Sequence, residues 1–162
     1  MHLRPIIITV TLVILAACAQ QAEQLQSKPT EGMKNDFNAA LAQELGADDY
    51  GMSRYVIAFL YAGENREPDS TKAAELQSAH LKNIRRMAEE GSLVLAGPFL
   101  NDGELRGIYI FDVATIEEAQ ALTETDPAIQ AGSLRMELLP WYGSAAIKEV
   151  SETHERIQKV KF

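Results

Sequence analysis

The sequence predicts an α+β fold: two helices packed on a four-stranded antiparallel sheet, in the order β-α-β-β-α-β of the ferredoxin-like arrangement. Three observations carry this. Apolar, β-rich runs recur at residues 55–61 (YVIAFLY), 93–99, 105–113 and 134–141. Helical periodicity occupies residues 71–90 and the stretch that follows Thr115. Glycine, proline and aspartate punctuate the chain between these segments, at Gly91, Asn101-Asp102-Gly103 and Asp126-Pro127.

The elements follow in order. Residues 33–46 place Met33, Phe37, Ala40, Leu41 and Leu45 at helical spacing before Gly46, which predicts a short amphipathic helix, and Asp48 to Gly51 reads as a turn. The first strand, YVIAFLY, is central because it is apolar throughout. After a polar loop with Pro68, Asp69 or Ser70 can cap a helix whose inward stripe is Leu76, His80, Ile84 and Met87 or Ala88. Gly91 supplies the left-handed position that ends it. The second and third strands, separated by Asn101-Asp102-Gly103-Glu104, form a hairpin. Thr115-x-x-Glu118 is a capping box that opens the second helix, and Asp126-Pro127 closes it. Leu134, Met136 and Leu138 alternate with Arg135 and Glu137, so the fourth strand has one polar face and ends at Pro140-Trp141. Residues 144–162 predict a last helix with Ile147, Val150, Ile157 and Val160 on one side.

The central runs YVIAFLY and GIYIF are apolar on both faces, although helices cover only one. A second subunit docked sheet against sheet, or the helices at residues 33–46 and 144–162, must cover the other. The expectation is a homodimer.

The 162 residues suit one domain with a real core, 46% hydrophobic and 23% charged, and carry a formal charge of −8. This acidity argues against nucleic acid as a partner, since binding it requires neutralised phosphates. The first residues read as a targeting segment: Arg4 precedes an apolar stretch, residues 6–17, that is interrupted only by Thr9 and Thr11 and is too short to span a bilayer comfortably. Leu15-Ala16-Ala17-Cys18 resembles a bacterial lipobox, in which the cysteine is lipidated and becomes the mature N-terminus. Cys18 is the sole cysteine, so no disulfide partner accounts for it. An ordinary secretory cleavage at Ala17-Cys18-Ala19 is the alternative. Ala19, rather than aspartate, after Cys18 points to the outer membrane, facing the periplasm. The expected organisation is a signal peptide at 1–17, a polar tether at 18–32, a helix and turn at 33–52, a domain at 53–143 and a C-terminal helix at 144–162. The tether spans roughly 20 Å on average as a flexible chain.

Nucleotide-binding, serine-hydrolase and C-x-x-C patterns are absent from the sequence. His2 falls in the targeting segment, and His80 and His154 share no metal-ligand spacing, so neither a metal nor another cofactor is expected. His154 reads as structural. His80 lies between Leu76 and Ile84 on the inward face of the first helix, where a buried imidazole needs a hydrogen-bond partner. From the residues alone it is either a core histidine bonded to a backbone carbonyl or a functional group.

His80-Leu81, Gly91, Ala96-Gly97-Pro98-Phe99, Glu118-Ala119, Asp126-Pro127, Ala131-Gly132 and Pro140-Trp141, in this order and spacing, resemble the YCII-related (YciI-like) domain family over residues 55–141. The resemblance implies a dimeric α+β barrel of two ferredoxin-like units with facing sheets, here with extra N- and C-terminal helices. It also implies a histidine and an aspartate paired in a small cleft, at His80 and Asp126. The sequence departs from the family pattern at Ala128, where a bulky aromatic is common, at Ile108, where a glycine is common, and in the turn before His80, which lacks an arginine. Two functions are expected from this: an acid–base enzyme acting on a small polar or aromatic molecule through His80 and Asp126, or a non-catalytic binding or interaction lipoprotein that retains the fold.

Overall fold

A computed structural model describes residues 36–160. The expectations for residues 1–17, for the tether and for Cys18 lie outside the described residues. Along the chain, α1 (Ala39–Glu44) is followed by β1 (Met52–Ala62), α2 (Ser70–Glu89), β2 (Leu93–Pro98) and β3 (Leu105–Phe111). Then come α3 (Ile116–Thr123), the one-turn helix α4 (Pro127–Gln130), β4 (Leu134–Ser144), a 3-10 segment (Ala145–Glu149) and α5 (Val150–Ile157). The sheet order is β2-β3-β1-β4, and every neighbouring pair is antiparallel. This is the ferredoxin-like α+β fold, with β1 and β3 central and proline in both edge strands, Pro98 in β2 and Pro140 in β4.

Alternation along β1 divides the sheet into two faces. Val56, Ala58 and Leu60 meet Met87 of α2, Ala119 of α3, and Leu93, Tyr109 and Phe111 of the hairpin, which together form the main core. Full burial of side chains such as Met87 or Leu93 contributes about 1.5–3 kcal/mol each. On the opposite face Tyr55, Val94 and Ile110 are buried, with Ile57, Leu95, Trp141 and Ile147 packed against them. Ile147 belongs to the 3-10 segment, so the C-terminal end of the chain covers one part of this face. Two polar ties hold it there: Lys148 Nζ lies 3.0 Å from Asp112 Oδ2, and Ser151 Oγ donates to the Val94 carbonyl at 3.4 Å.

The caps form as the sequence predicts. Asp69 accepts from the Thr71 and Lys72 N–H groups at the start of α2. Thr115 and Glu118 make the reciprocal bonds of a capping box at α3. Gly91 takes φ 77° just past α2, in the region that disfavours a Cβ.

Four expectations are corrected. Among the described residues the helix expected at 33–46 runs Ala39–Glu44, because the Asn38 side chain caps it by accepting from Leu41 N–H; Phe37 is exposed and no residue of the helix is buried. β4 continues through Pro140 to Ser144, which an edge strand permits because proline there removes no donor needed within the sheet. Asp126-Pro127 does more than close a helix. α3 has already ended at Thr123, and Asp126 caps α4 with proline in its first turn. The last helix is a 3-10 segment joined to a shorter α-helix. The change of period takes Ile157 off the packed side, Val160 lies beyond the end of α5, and both are exposed.

Candidate active site

His80 and Asp126 are separated by 46 positions in the chain and meet inside the fold. His80 lies in the interior of α2 and is 8% exposed, whereas Asp126 is wholly buried. Its Nδ1 is 2.8 Å from Asp126 Oδ2 and 3.0 Å from Oδ1. Oδ1 also accepts from the Ala128 N–H at 2.9 Å, the cap of α4. A carboxylate only accepts hydrogen bonds, so the contact with His80 is a hydrogen bond when Nδ1 donates. Nδ1 carries the imidazole proton, and Nε2 is the acceptor of the neutral ring.

Nε2 faces the hydroxyl of Tyr109 at 3.4 Å, long for a hydrogen bond. Tyr109 is held edge-on to Phe111, with ring centroids 5.8 Å apart, and stacks over His80 at 6.4 Å. Burial, and secondarily the negative charge of Asp126, push the Tyr109 phenol well above the usual tyrosine range, so it stays a neutral donor.

A further network fixes the segment that bears Asp126. Arg86 Nη2 donates to Asn83 Oδ1 and to Thr125 Oγ1, both at 3.0 Å. Asn83 is buried one turn beyond His80, and Thr125 immediately precedes Asp126. α2 thus grips the loop at two successive points, which orients the carboxyl group toward the ring.

His80 and Tyr109 open into a cavity of about 650 Å³ between α2, the β2–β3 hairpin and the loop at residues 63–69. This is within the usual range for small-molecule sites. Leu76, Ile84 and Leu134 give it apolar walls. The loop is clamped to the turn before β4. Gly63 N–H donates to the Ser133 carbonyl at 2.8 Å, and Asn65 donates through its backbone to Gly132 and through its side chain to Ala131. A Cβ on Gly63 would stand 2.0 Å from the Gly132 oxygen, so this approach requires glycine.

The structure thus brings together His80 and Asp126, and it places Leu76 and Ile84 on the cavity wall. Sequence reasoning missed Tyr109, Asn83, Arg66 and Arg106. Two of these had a signal: Tyr109 falls on the helix-facing side of β3 by alternation, and Asn83 is at i+3 from His80. His154, expected to be partly exposed and structural, is exposed on α5. Among the described residues no group of three or more His, Cys, Asp or Glu side chains could hold a metal ion, and no helix is long and apolar enough to cross a membrane.

A family model described as the YCII-related domain matches residues 54–142. No curated protein matches the chain. Among solved structures, the chain is similar to 5-chloro-2-hydroxyhydroquinone dehydrochlorinase from Burkholderia phenoliruptrix, in complex with 2,5-dihydroxybenzoquinone. The identity is 18% and the TM-score 0.40, over 52% of this chain and 92% of that one.

Proposed function

The family match covers more than half of the sequence, so the chain belongs to the YCII-related domain family, and from that premise we propose that it is an acid–base enzyme acting on a small polar or aromatic molecule. One observation carries the reading: an imidazole whose Nδ1 is bonded to a buried carboxyl group turns its free nitrogen toward a cavity of small-molecule size. In this reading Nε2 of His80 removes a proton from the ligand. Asp126 holds the ring in the required tautomer and stabilises the imidazolium that forms. The Tyr109 hydroxyl donates to the oxygen on which charge develops. His80 then returns the proton to another atom of the ligand or to its leaving group.

Proton exchange tests this without knowledge of the natural substrate. The full chain is incubated in D2O with a panel of small phenols and carbon acids, and deuterium uptake is followed by mass. Uptake by at least one compound, lost in His80→Gln, is the expected result. No protein-dependent uptake, or uptake that persists in His80→Gln, overturns the reading. The second reading, a binding module without turnover, is favoured by the Tyr109 hydroxyl, which occupies the approach to Nε2. Ligand binding without exchange is its signature.

Two further proposals concern where the domain works. The lipobox-like segment supports a lipid on Cys18 and a domain held at the outer membrane, facing the periplasm. A clickable fatty acid should label the wild type and not Cys18→Ala; label in neither defeats the anchor. On the open sheet face, Ile57, Phe59 and Ile108 are only partly buried and Leu139 is 43% exposed, which supports a homodimer through facing sheets. Sedimentation should give twice the monomer mass, and Phe59→Asp should give the monomer.

A further inference from the structure

The mouth of the His80 cavity is cationic on an otherwise acidic protein. Arg66, Arg106 and one acid, Glu67, line it, whereas the whole chain carries −8. Three other cations of the fold are engaged: Arg86 with Glu90, Lys148 with Asp112, and Arg135 over the Tyr61 ring. Among the described residues neither the Arg66 nor the Arg106 guanidinium makes an ion pair or a hydrogen bond. Glu67 is partly diverted, because its Oε1 accepts from the Asp69 N–H at 3.1 Å at the start of α2.

The backbone under both arginines is fixed. Arg66 follows Asn65, which is clamped by two hydrogen bonds to the turn at residues 131–132. Arg106 lies in β3, and its carbonyl accepts from Phe99 N–H at 2.8 Å. Two unpaired guanidinium forks on rigid backbone, at the rim of an apolar cavity with an acid–base group within it, match a ligand with an anionic end and an apolar body. Glu67 in the same rim opposes a dianion more than a monoanion. We propose that the ligand of this cavity is a small carboxylic acid, its carboxylate bound by Arg66 and Arg106 and its body lying between Leu76 and Ile84 toward His80. The proposal rests on the reading of His80 as the reactive group and adds the class of molecule that reaches it.

The test uses three monocarboxylates, each with its neutral amide: benzoate and benzamide, 4-hydroxybenzoate and 4-hydroxybenzamide, butyrate and butyramide. Phenyl phosphate is added as a dianion. Each is titrated into the isotope-labelled full chain while the His80 ring signals are followed by NMR. At least one acid should bind about tenfold more tightly than its amide, and Arg66→Gln with Arg106→Gln should remove that advantage. Both side chains are exposed, so the double variant should melt with the wild type, and salt should weaken the acid only. Equal binding of acids and amides, an advantage that survives in the double variant, failure of every acid to bind, or tighter arginine-dependent binding of phenyl phosphate each overturns the proposal. The two readings fail separately. Arginine-dependent binding without proton exchange defeats the enzyme and leaves the carboxylate site standing. Exchange on the acids that persists undiminished in the double variant does the reverse.

Discussion

Asp126→Asn is the sharpest perturbation of the site, because it changes one atom and reverses one hydrogen bond. The introduced amide keeps an oxygen for the Ala128 N–H, 2.9 Å away, so the cap of α4 survives. Its NH2 then takes the place of Oδ2, which stands 2.8 Å from His80 Nδ1. Two donors cannot share that contact, and the ring proton moves from Nδ1 to Nε2. Replacing a hydrogen bond to a charged group in a buried site costs about 1.5–3 kcal/mol. Asp126→Ala also loses the cap, about 1 kcal/mol more, for a total of about 2.5–4 kcal/mol. Urea unfolding followed by circular dichroism should show these losses as midpoint shifts at an unchanged slope. Long-range nitrogen–proton NMR on labelled histidine reads the tautomer directly, with Nδ1–H in the wild type and Nε2–H in Asp126→Asn. A wild type already protonated at Nε2, or an Asp126→Asn variant with the same tautomer and a loss under about 0.5 kcal/mol, refutes the pairing.

Three other outcomes are expected. Tyr109 gains its raised pKa on folding, so the stability it confers is complete below the unfolded tyrosine value of about 10 and declines as pH rises above it. Alkaline difference absorbance should accordingly show fewer phenols ionising in the native wild type than in the unfolded chain, and Tyr109→Phe should shrink that deficit by one phenol while the buried Tyr55 keeps its share. Gly63→Ala forces a Cβ toward the Gly132 oxygen and should cost about 1–3 kcal/mol in chemical denaturation. Asn83→Ala removes the oxygen that accepts from both Arg86 Nη2 and Thr125 Oγ1, so it should cost about 1–2 kcal/mol and speed amide exchange at Thr125 and Asp126.

Most of the fold was legible because it rests on local chemistry. The capping box at Thr115 and Glu118, the Asp69 cap, the Gly91 stop and the alternation of β4 each specify geometry within a few residues. The site was less legible. His80 stood out only as a polar residue in an apolar stripe, and resemblance to a family, not spacing, pointed to Asp126. Tyr109 was hidden because GIYIF reads as uniformly apolar, and a tyrosine there shows its hydroxyl only once the opposing helix is in place. Arg66 and Arg106 look like ordinary solvated charges until the loop and the hairpin enclose a cavity between them. The C-terminal stripe misled for a related reason. Ile147 packs on the sheet, but the 3-10 segment alters the period so that Ile157 no longer follows it, and the helix ends before Val160.

The prolines of the two edge strands have a consequence for how the molecule meets others of its kind. A sheet grows by adding strands where an edge offers an unbroken ladder of donors and acceptors. Pro98 and Pro140 each delete a donor from such a ladder, one on either border of this sheet. Fibre-like polymerisation through backbone pairing is thereby discouraged at both borders. Contact between copies is then steered away from open-ended chains and left to the faces of the sheet.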